Sequence, residues 1–159
     1  MINWNELLVY KEGILYWKYK QSNFVKEGDP AGSPNSSGHL QFVYKGKNYA
    51  VHRVIWEMFN GPIPDGLQID HINRIKSDNR IENLRLANNS QNQQNKDMQK
   101  NNTSGYIGVG WHKLIKKFAA RIRINGKLKH LGYFDDPKEA HLAYTEKAKE
   151  VFGEFYKGK

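Results

Sequence analysis

Apolar and aromatic positions alternate with polar ones over short runs in the first fifty residues, the period expected of strands. "ILYWKYK" (14–20) and "LQFVYKGKNYAVH" (40–52) are rich in aromatic and β-branched residues. The second run folds back at Lys45-Gly46-Lys47. Between them "EGDPAGSPNSSG" (27–38) is dense in Gly, Pro, Ser and Asn and reads as loop. The period then changes. In "HRVIWEMFNG" the apolar Val54, Ile55, Met58 and Phe59 recur at helical spacing, and Gly61-Pro62 supplies the stop. "PIPDGLQIDH" turns at Asp65-Gly66 into a short strand that ends on Asp70 and His71. Trp4, Trp17 and Trp56 are assigned to the core, because a small domain needs large apolar side chains.

A polar stretch follows. Residues 88–105 are rich in Asn and Gln, and Ser90 with Gln93 makes an S-x-x-Q capping box, which predicts a short helix over 91–100. "NNTSG" (101–105) is read as a flexible joint. Beyond it, "YIGVGWHK", "KFAARIRIN" and "KLKHLGYF" are three successive strands, the last two joined at Asn125-Gly126. A helix closes the pattern, with Asp136 as N-cap, Pro137 in the first turn and Gly153 at the stop. Its apolar face is Ala140, Ala143, Tyr144, Ala148, Val151 and Phe152, set to pack on the sheet. The fold class is therefore α+β, over 159 residues in two parts, 1–100 and 106–159.

Composition narrows the function classes. The net charge of +9 favours a polyanion partner. No basic amphipathic helix and no long apolar run point to a membrane. Met98 to Phe134 contains no acidic residue, while Lys100, Lys113, Lys116, Lys117, Arg121, Arg123, Lys127 and Lys129 all lie there. In "KFAARIRIN" the arginines alternate with Ala120, Ile122 and Ile124 and so share one strand face. The absence of cysteine removes disulfide scaffolds and thiolate zinc sites. The N-terminus lacks the features of a signal peptide, so a cytoplasmic setting is expected, in a host cell if the chain is phage-encoded.

The candidate chemistry lies in "DHINRIKSDNRIENLR" (70–85). Phosphodiester hydrolysis needs a proton acceptor for the attacking water and positive charge at the phosphate. A neutral His suits the first, and a hard cation on oxygen ligands the second. The run 52–95 resembles the HNH endonucleases of phage and homing-endonuclease type, whose site is a ββα-metal unit. That resemblance implies an HNH domain over 1–100 with its core at 50–100. It implies Asp70 as metal ligand, His71 as general base, Asn83 as the brace of the loop and base, and Asn92 as second ligand, with Asn89 and Asn95 as neighbouring alternatives. An Asn at the last position leaves two oxygen donors, which suits Mg²⁺ or Mn²⁺. Arg80 and Arg85 are candidate phosphate clamps, with an ion pair to Glu82 as the competing role. His52 is read as structural support, and Asp78 and Asn79 as loop stabilisers.

Residues 106–159 resemble an Apetala-2-type DNA-binding domain in their "G-V", "A-x-I", "LG-x-F" and "EA…AY" pieces. This implies a three-stranded antiparallel sheet on one helix, with Trp111, His112, Lys113, Arg121, Arg123 and His130 toward duplex DNA and Lys127 and Lys129 on phosphates. Trp111 has core packing as its alternative. Together these readings give a metal-dependent DNA endonuclease that nicks duplex DNA as a monomer, the chain itself being a monomer or weak dimer. It needs no small-molecule cofactor, and a phage protein is allowed as partner. The rivals are a non-catalytic sequence-specific DNA-binding regulator on the same scaffold and an RNA-directed protein.

Overall fold

The computed structural model describes residues 2–94 and 102–156. It divides into two compact units, Met1–Asn88 and Asn89–Lys159, so the division falls ahead of the joint expected at 101–105. Among the described residues no helix is long and apolar enough to cross a membrane.

The first unit starts with a helical turn, α1 (Trp4–Leu7), and the hairpin β1 (Leu8–Lys11) and β2 (Ile14–Trp17). A second sheet has the order β3 (Ser33–Pro34), β4 (Leu40–Tyr44), β5 (Lys47–Ala50). Its β4–β5 turn is the tight Lys45-Gly46 pair, both with positive φ, the geometry that matches strand twist. The segment read as pure loop thus contributes the two-residue edge strand β3. α2 (Val51–Asn60) follows and ends at Gly61, whose φ of 78° and Pro62 beyond it stop the helix. Val51, Val54 and Ile55 of α2 are buried among Leu8, Leu15, Trp17 and Phe42. Trp4 is also buried, its indole N–H donating to a Glu57 carboxylate oxygen at 3.0 Å. Trp56 packs against this core from its margin. Phe59 departs from expectation: at the last turn it is 53% exposed and meets only the edge of Tyr10 among aromatic rings.

The unit closes with the antiparallel pair β6 (Leu67–His71) and β7 (Leu84–Asn88), linked by a loop and a 3-10 turn at Ile81–Asn83. Ile69 and Leu84 join the core. The loop is also buttressed from the N-terminal hairpin. Tyr10 Oη accepts the Ile81 N–H at 3.1 Å, and Gly13 (φ 85°) sits so close to the Asn79–Arg80 backbone that a Cβ there would collide with Arg80 N.

In the second unit α3 (Asn89–Gln94) begins two residues earlier than the expected helix; the remainder of that expected helix lies outside the described residues. β8 (Val109–His112), β9 (Lys117–Ile124) and β10 (Lys127–Phe134) form an antiparallel sheet in the order β10-β9-β8. α4 (Pro137–Phe152) packs on it, capped by the Asp136 carboxylate, which accepts the Lys138 N–H at 2.6 Å. Ala140, Tyr144, Ala148 and Phe152 of α4 are buried, with Val109, Ala120 and Ile122 from the sheet. The α+β architecture expected from the periodicity is the one observed.

Gly108 is the tightest point of this second core. Its φ is 76°, and a Cβ would overlap the Tyr144 ring. Gly108→Ala is therefore expected to destabilise the protein by about 3 kcal/mol through overpacking and backbone strain. Thermal melting should show the loss, and an unchanged midpoint would contradict this packing.

Candidate active site and candidate nucleic-acid face

The β6–β7 register places Asp70 opposite Arg85 and His71 opposite Leu84. Successive strand residues point to opposite faces, so Asp70 and His71 diverge. Both are buried. Arg85 Nε donates to Asp70 Oδ2 at 2.9 Å, and Nη2 lies 2.9 Å from the same oxygen as an ion-pair contact, in a pair nearly closed to solvent. Arg85 is thus tied to the candidate metal ligand. Arg80 is also engaged, in a two-pronged pair with Asp78 at 2.8 Å for each contact; Glu82 stands off at 4.0 Å. Hydrogen bonds from Arg80 hold the Asp78 carboxyl well below the usual carboxylate range.

The loop 72–80 closes on Asn83, which is buried. Its Oδ1 accepts the Asn73 N–H at 2.9 Å, and its Nδ2 donates to Asp78 O at 2.7 Å and to Asn73 Oδ1 at 3.0 Å. Asn73 in turn caps Ile75 N and donates to the Asp78 carboxylate. Asn83 joins the two ends of the loop, and the side chain that meets the His71 ring is Asn79. His71 Nε2 and Asn79 Oδ1 are 2.9 Å apart, and Asn79 is 1% exposed. An amide oxygen only accepts, so neutral His71 carries its proton on Nε2, and the lone pair lies on Nδ1. Asn79 Nδ2 points to Ser77 O at 3.4 Å, in keeping with that orientation.

Two further imidazoles surround His71. His52, at the start of α2, meets it edge-on with ring centroids 5.2 Å apart; His39, just ahead of β4, lies 5.7 Å from it and 5.1 Å from His52. The His39 turn is tightly built: Nδ1 meets Ser37 Oγ at 2.9 Å, Asn35 Oδ1 caps Ser37 N and His39 N, and Lys76 Nζ donates to Ser37 O. Burial, with His71, His39 and Arg53 nearby, pushes the His52 imidazole down to about 3. Burial, with His71 and Lys76, lowers His39 as well. Among the described residues the buried His52 Nδ1 has no hydrogen-bond partner. The expected support role of His52 takes the form of a neutral wall against the His71 ring. His39 was missed because its segment has loop composition, and nothing local signals that it returns to the site. Asn92 lies in α3, among the residues of the second unit, as does Asn89; Asn95 lies outside the described residues. Among the described residues no group of three or more His, Cys, Asp and Glu side chains is placed to hold a metal ion.

In the second unit, directly opposed residues of an antiparallel pair share a face. Arg121 pairs with His130 and Arg123 with Leu128, and His112 pairs with Lys117, which alternates with Arg121 on β9. The face away from α4 therefore carries Arg121, Arg123, His112 and His130. Tyr133, which sequence reasoning missed, joins them, 5.3 Å from the His112 ring and 4.3 Å from the His130 ring. Lys113 is exposed in the turn after β8. Three expected members fall elsewhere. Lys127 and Lys129 oppose Ile124 and Ile122, and Trp111 opposes Phe118 and packs edge-on against it at 4.9 Å, all on the α4 side. Trp111 is nonetheless half exposed. The cause is the two-residue Asn125-Gly126 turn, which carries the face of Ile124 straight into Lys127.

Comparison with known proteins bears on the first site. Residues 49–94 match the family model of the HNH endonucleases. Protein 3.8 of Escherichia phage T7 is 40% identical over 76 residues, 48% of this chain and 63% of that protein. An uncharacterized HNH endonuclease, L560, of Acanthamoeba polyphaga mimivirus is 32% identical over 107 residues, 66% of this chain and 54% of that protein. The chain thus spans less than two thirds of the length of either relative. A solved structure of the HNH homing endonuclease I-HmuI aligns with 92% of this chain and 78% of its own, at 20% identity and a TM-score of 0.45.

The depressed His52 sets a pH dependence. Its unfolded value is near 6.5 and its folded value about 3, so between them the unfolded chain binds the extra proton. Stability is full above pH 6.5 and falls as pH drops, by up to about 1.4 kcal/mol per unit from this group. His39 adds in the same direction. Melting temperature is expected to fall from pH 7 to pH 5, and His52→Phe to flatten most of that slope; an equally steep slope in the variant would show that another group carries it.

Proposed function

We propose that the protein is a metal-dependent DNA endonuclease in which His71 is the general base. The single observation that carries the reading is the buried His71–Asn79 contact one residue from the buried Asp70. It fixes both ring orientation and tautomer, so that Nδ1 takes the proton of a water attacking the scissile phosphorus. The new bond joins that water oxygen to phosphorus, and the bond to the 3′ oxygen breaks, leaving 5′-phosphate and 3′-hydroxyl ends. Asn79 Oδ1 then accepts from the Nε2–H of the imidazolium and steadies its charge. Asn83 keeps the loop closed, so that Asn79 reaches the ring.

Asp70 is the residue of the first unit that would hold the divalent cation, Mg²⁺ or Mn²⁺. Its carboxylate oxygen fits such a hard ion, which keeps several waters rather than requiring a full protein cage, and the ion would neutralise charge at the phosphate and departing oxygen. Arg85 holds the Asp70 carboxylate in place. The second unit, similar to an Apetala-2-type domain, supplies affinity for duplex DNA through Arg121, Arg123, His112 and His130, with Lys113 on backbone phosphates. Trp111, Lys127 and Lys129 are not part of that face.

Plasmid incubated with Mg²⁺ or Mn²⁺ is expected to pass from supercoiled to open circle before any linear form appears, and EDTA should abolish the reaction. His71→Ala should slow it by about 10²–10⁴-fold, as loss of a general base does. Asn79→Ala should slow it by about 10–100-fold, the usual cost of losing a partner that orients a site residue. Full activity in His71→Ala would overturn the assignment of the base.

A further inference from the structure

We propose that the β8–β9 turn is an apolar wedge that enters a base-pair step of duplex DNA. This rests on the reading that duplex DNA is the partner. Leu114 and Ile115 form the tip of this turn and are 92% and 43% exposed, so Leu114 stands almost wholly in solvent. Adjacent exposed aliphatic residues on a turn are costly to hydrate.

The turn is built rather than slack. The Ile115 N–H donates to His112 Nδ1 at 3.3 Å, and Lys116 N donates to His112 O at 2.8 Å. Lys116 takes a φ of 56°, the left-handed conformation that closes the turn back into β9. His112 is the residue that decides its direction. Its ring lies on the Arg121–Arg123 face against Tyr133, so the bond to Ile115 N ties the tip to that face rather than to the α4 side. An ordered tip loses little conformational freedom on insertion.

The flanks identify the occupant. Lys113 and Lys116 bracket the two aliphatic residues, and no Asp or Glu occurs from Gln99 to Tyr133. Polyanion backbones on either side of an apolar slot meet that pattern, as two phosphate strands do on either side of stacked bases. Leu and Ile are side chains that DNA-bending proteins insert between base steps, exchanging stacking for apolar contact. Arg121 and Arg123 would hold the duplex while the tip parts the stack. Local unwinding of the bound duplex is the consequence.

The test uses the full chain carrying His71→Ala, in EDTA, so that no strand is cut. Closed circular plasmid is saturated with protein, relaxed with a topoisomerase that needs no metal, deproteinised and run on a topoisomer gel. The expected result is a shift toward lower linking number that grows with bound protein. Adding Leu114→Ser and Ile115→Ser should remove the shift while weakening plasmid binding by about tenfold or less. Both sites are exposed, and an unchanged melting temperature would verify that the fold is retained. Plasmid bound in a salt-sensitive way with no shift, or a shift that survives the double substitution, would overturn the wedge and leave the DNA reading standing. Absence of plasmid binding would overturn both. Cosedimentation with phosphatidylglycerol vesicles, lost on the same double substitution and without any topoisomer shift, would make the turn a lipid contact and overturn the wedge.

Discussion

The candidate active site hangs on the buried pair between Asp70 and Arg85. A carboxylate so nearly closed to water costs several kcal/mol unless a cation and hydrogen bonds compensate it, and removing either partner would strand the other. The two residues are also opposite each other on β6 and β7, so the pair reinforces one register. A slip by one position would turn every side chain of β6 to the other face, sending His71 away from the loop and Ile69 out of the core. The ion pair thus couples the electrostatics of the site to the alignment that builds it.

From that register the loop acquires its shape through amides rather than charges. Asn73, Asn79 and Asn83 each offer a donor and an acceptor, and Asn83 uses both to join the two ends of the loop. A carboxylate at 83 could not donate to Asp78 O and would face the Asn73 side-chain oxygen with a like dipole. At position 79 an amide oxygen fixes the His71 tautomer without placing a formal charge beside it. His52 and His39, both pushed toward their neutral forms, keep the remaining walls uncharged as well. The His71 ring is therefore oriented by an amide and flanked by two imidazoles that burial keeps toward the neutral form.

Much of this was legible before any coordinates. Asp65-Gly66 marks the start of β6, and the apolar run beyond it ends on Asp70 and His71; Asn83 was singled out by the resemblance to the HNH endonucleases. The helix α4 announces itself through Asp136, Pro137 and Gly153. Asn79 was not legible as the partner of His71, because that contact exists only once an eight-residue excursion has closed, and Asn73, Asn79 and Asn83 are equivalent by composition. His39 was hidden for a related reason: its turn closes the two-residue pairing of β3 with β4, too short to signal in sequence, and side-chain bonds from Asn35, Ser37 and Lys76 complete it. The misplacement of Lys127 and Lys129 is different. A two-residue turn makes Ile124 and Lys127 direct partners, so the signal was present in "INGK"; charge drew attention to the wrong parity.

Charge is divided unequally between the two units. Residues 89–159 hold 14 of the 25 Lys and Arg and 7 of the 16 Asp and Glu, so they carry +7 of the net +9. The first unit is close to balanced, and its arginines 80 and 85 are spent on Asp78 and Asp70. The excess positive charge thus lies in the second unit, where Arg121 and Arg123 share the sheet face away from α4. On the proposed reading that face would supply the salt-sensitive attraction to phosphate, and the first unit the chemistry. Cations crowded beside a buried imidazole disfavour its protonated form, so a chain that keeps its excess charge in one unit and its histidine cluster in the other does not set the two demands against each other.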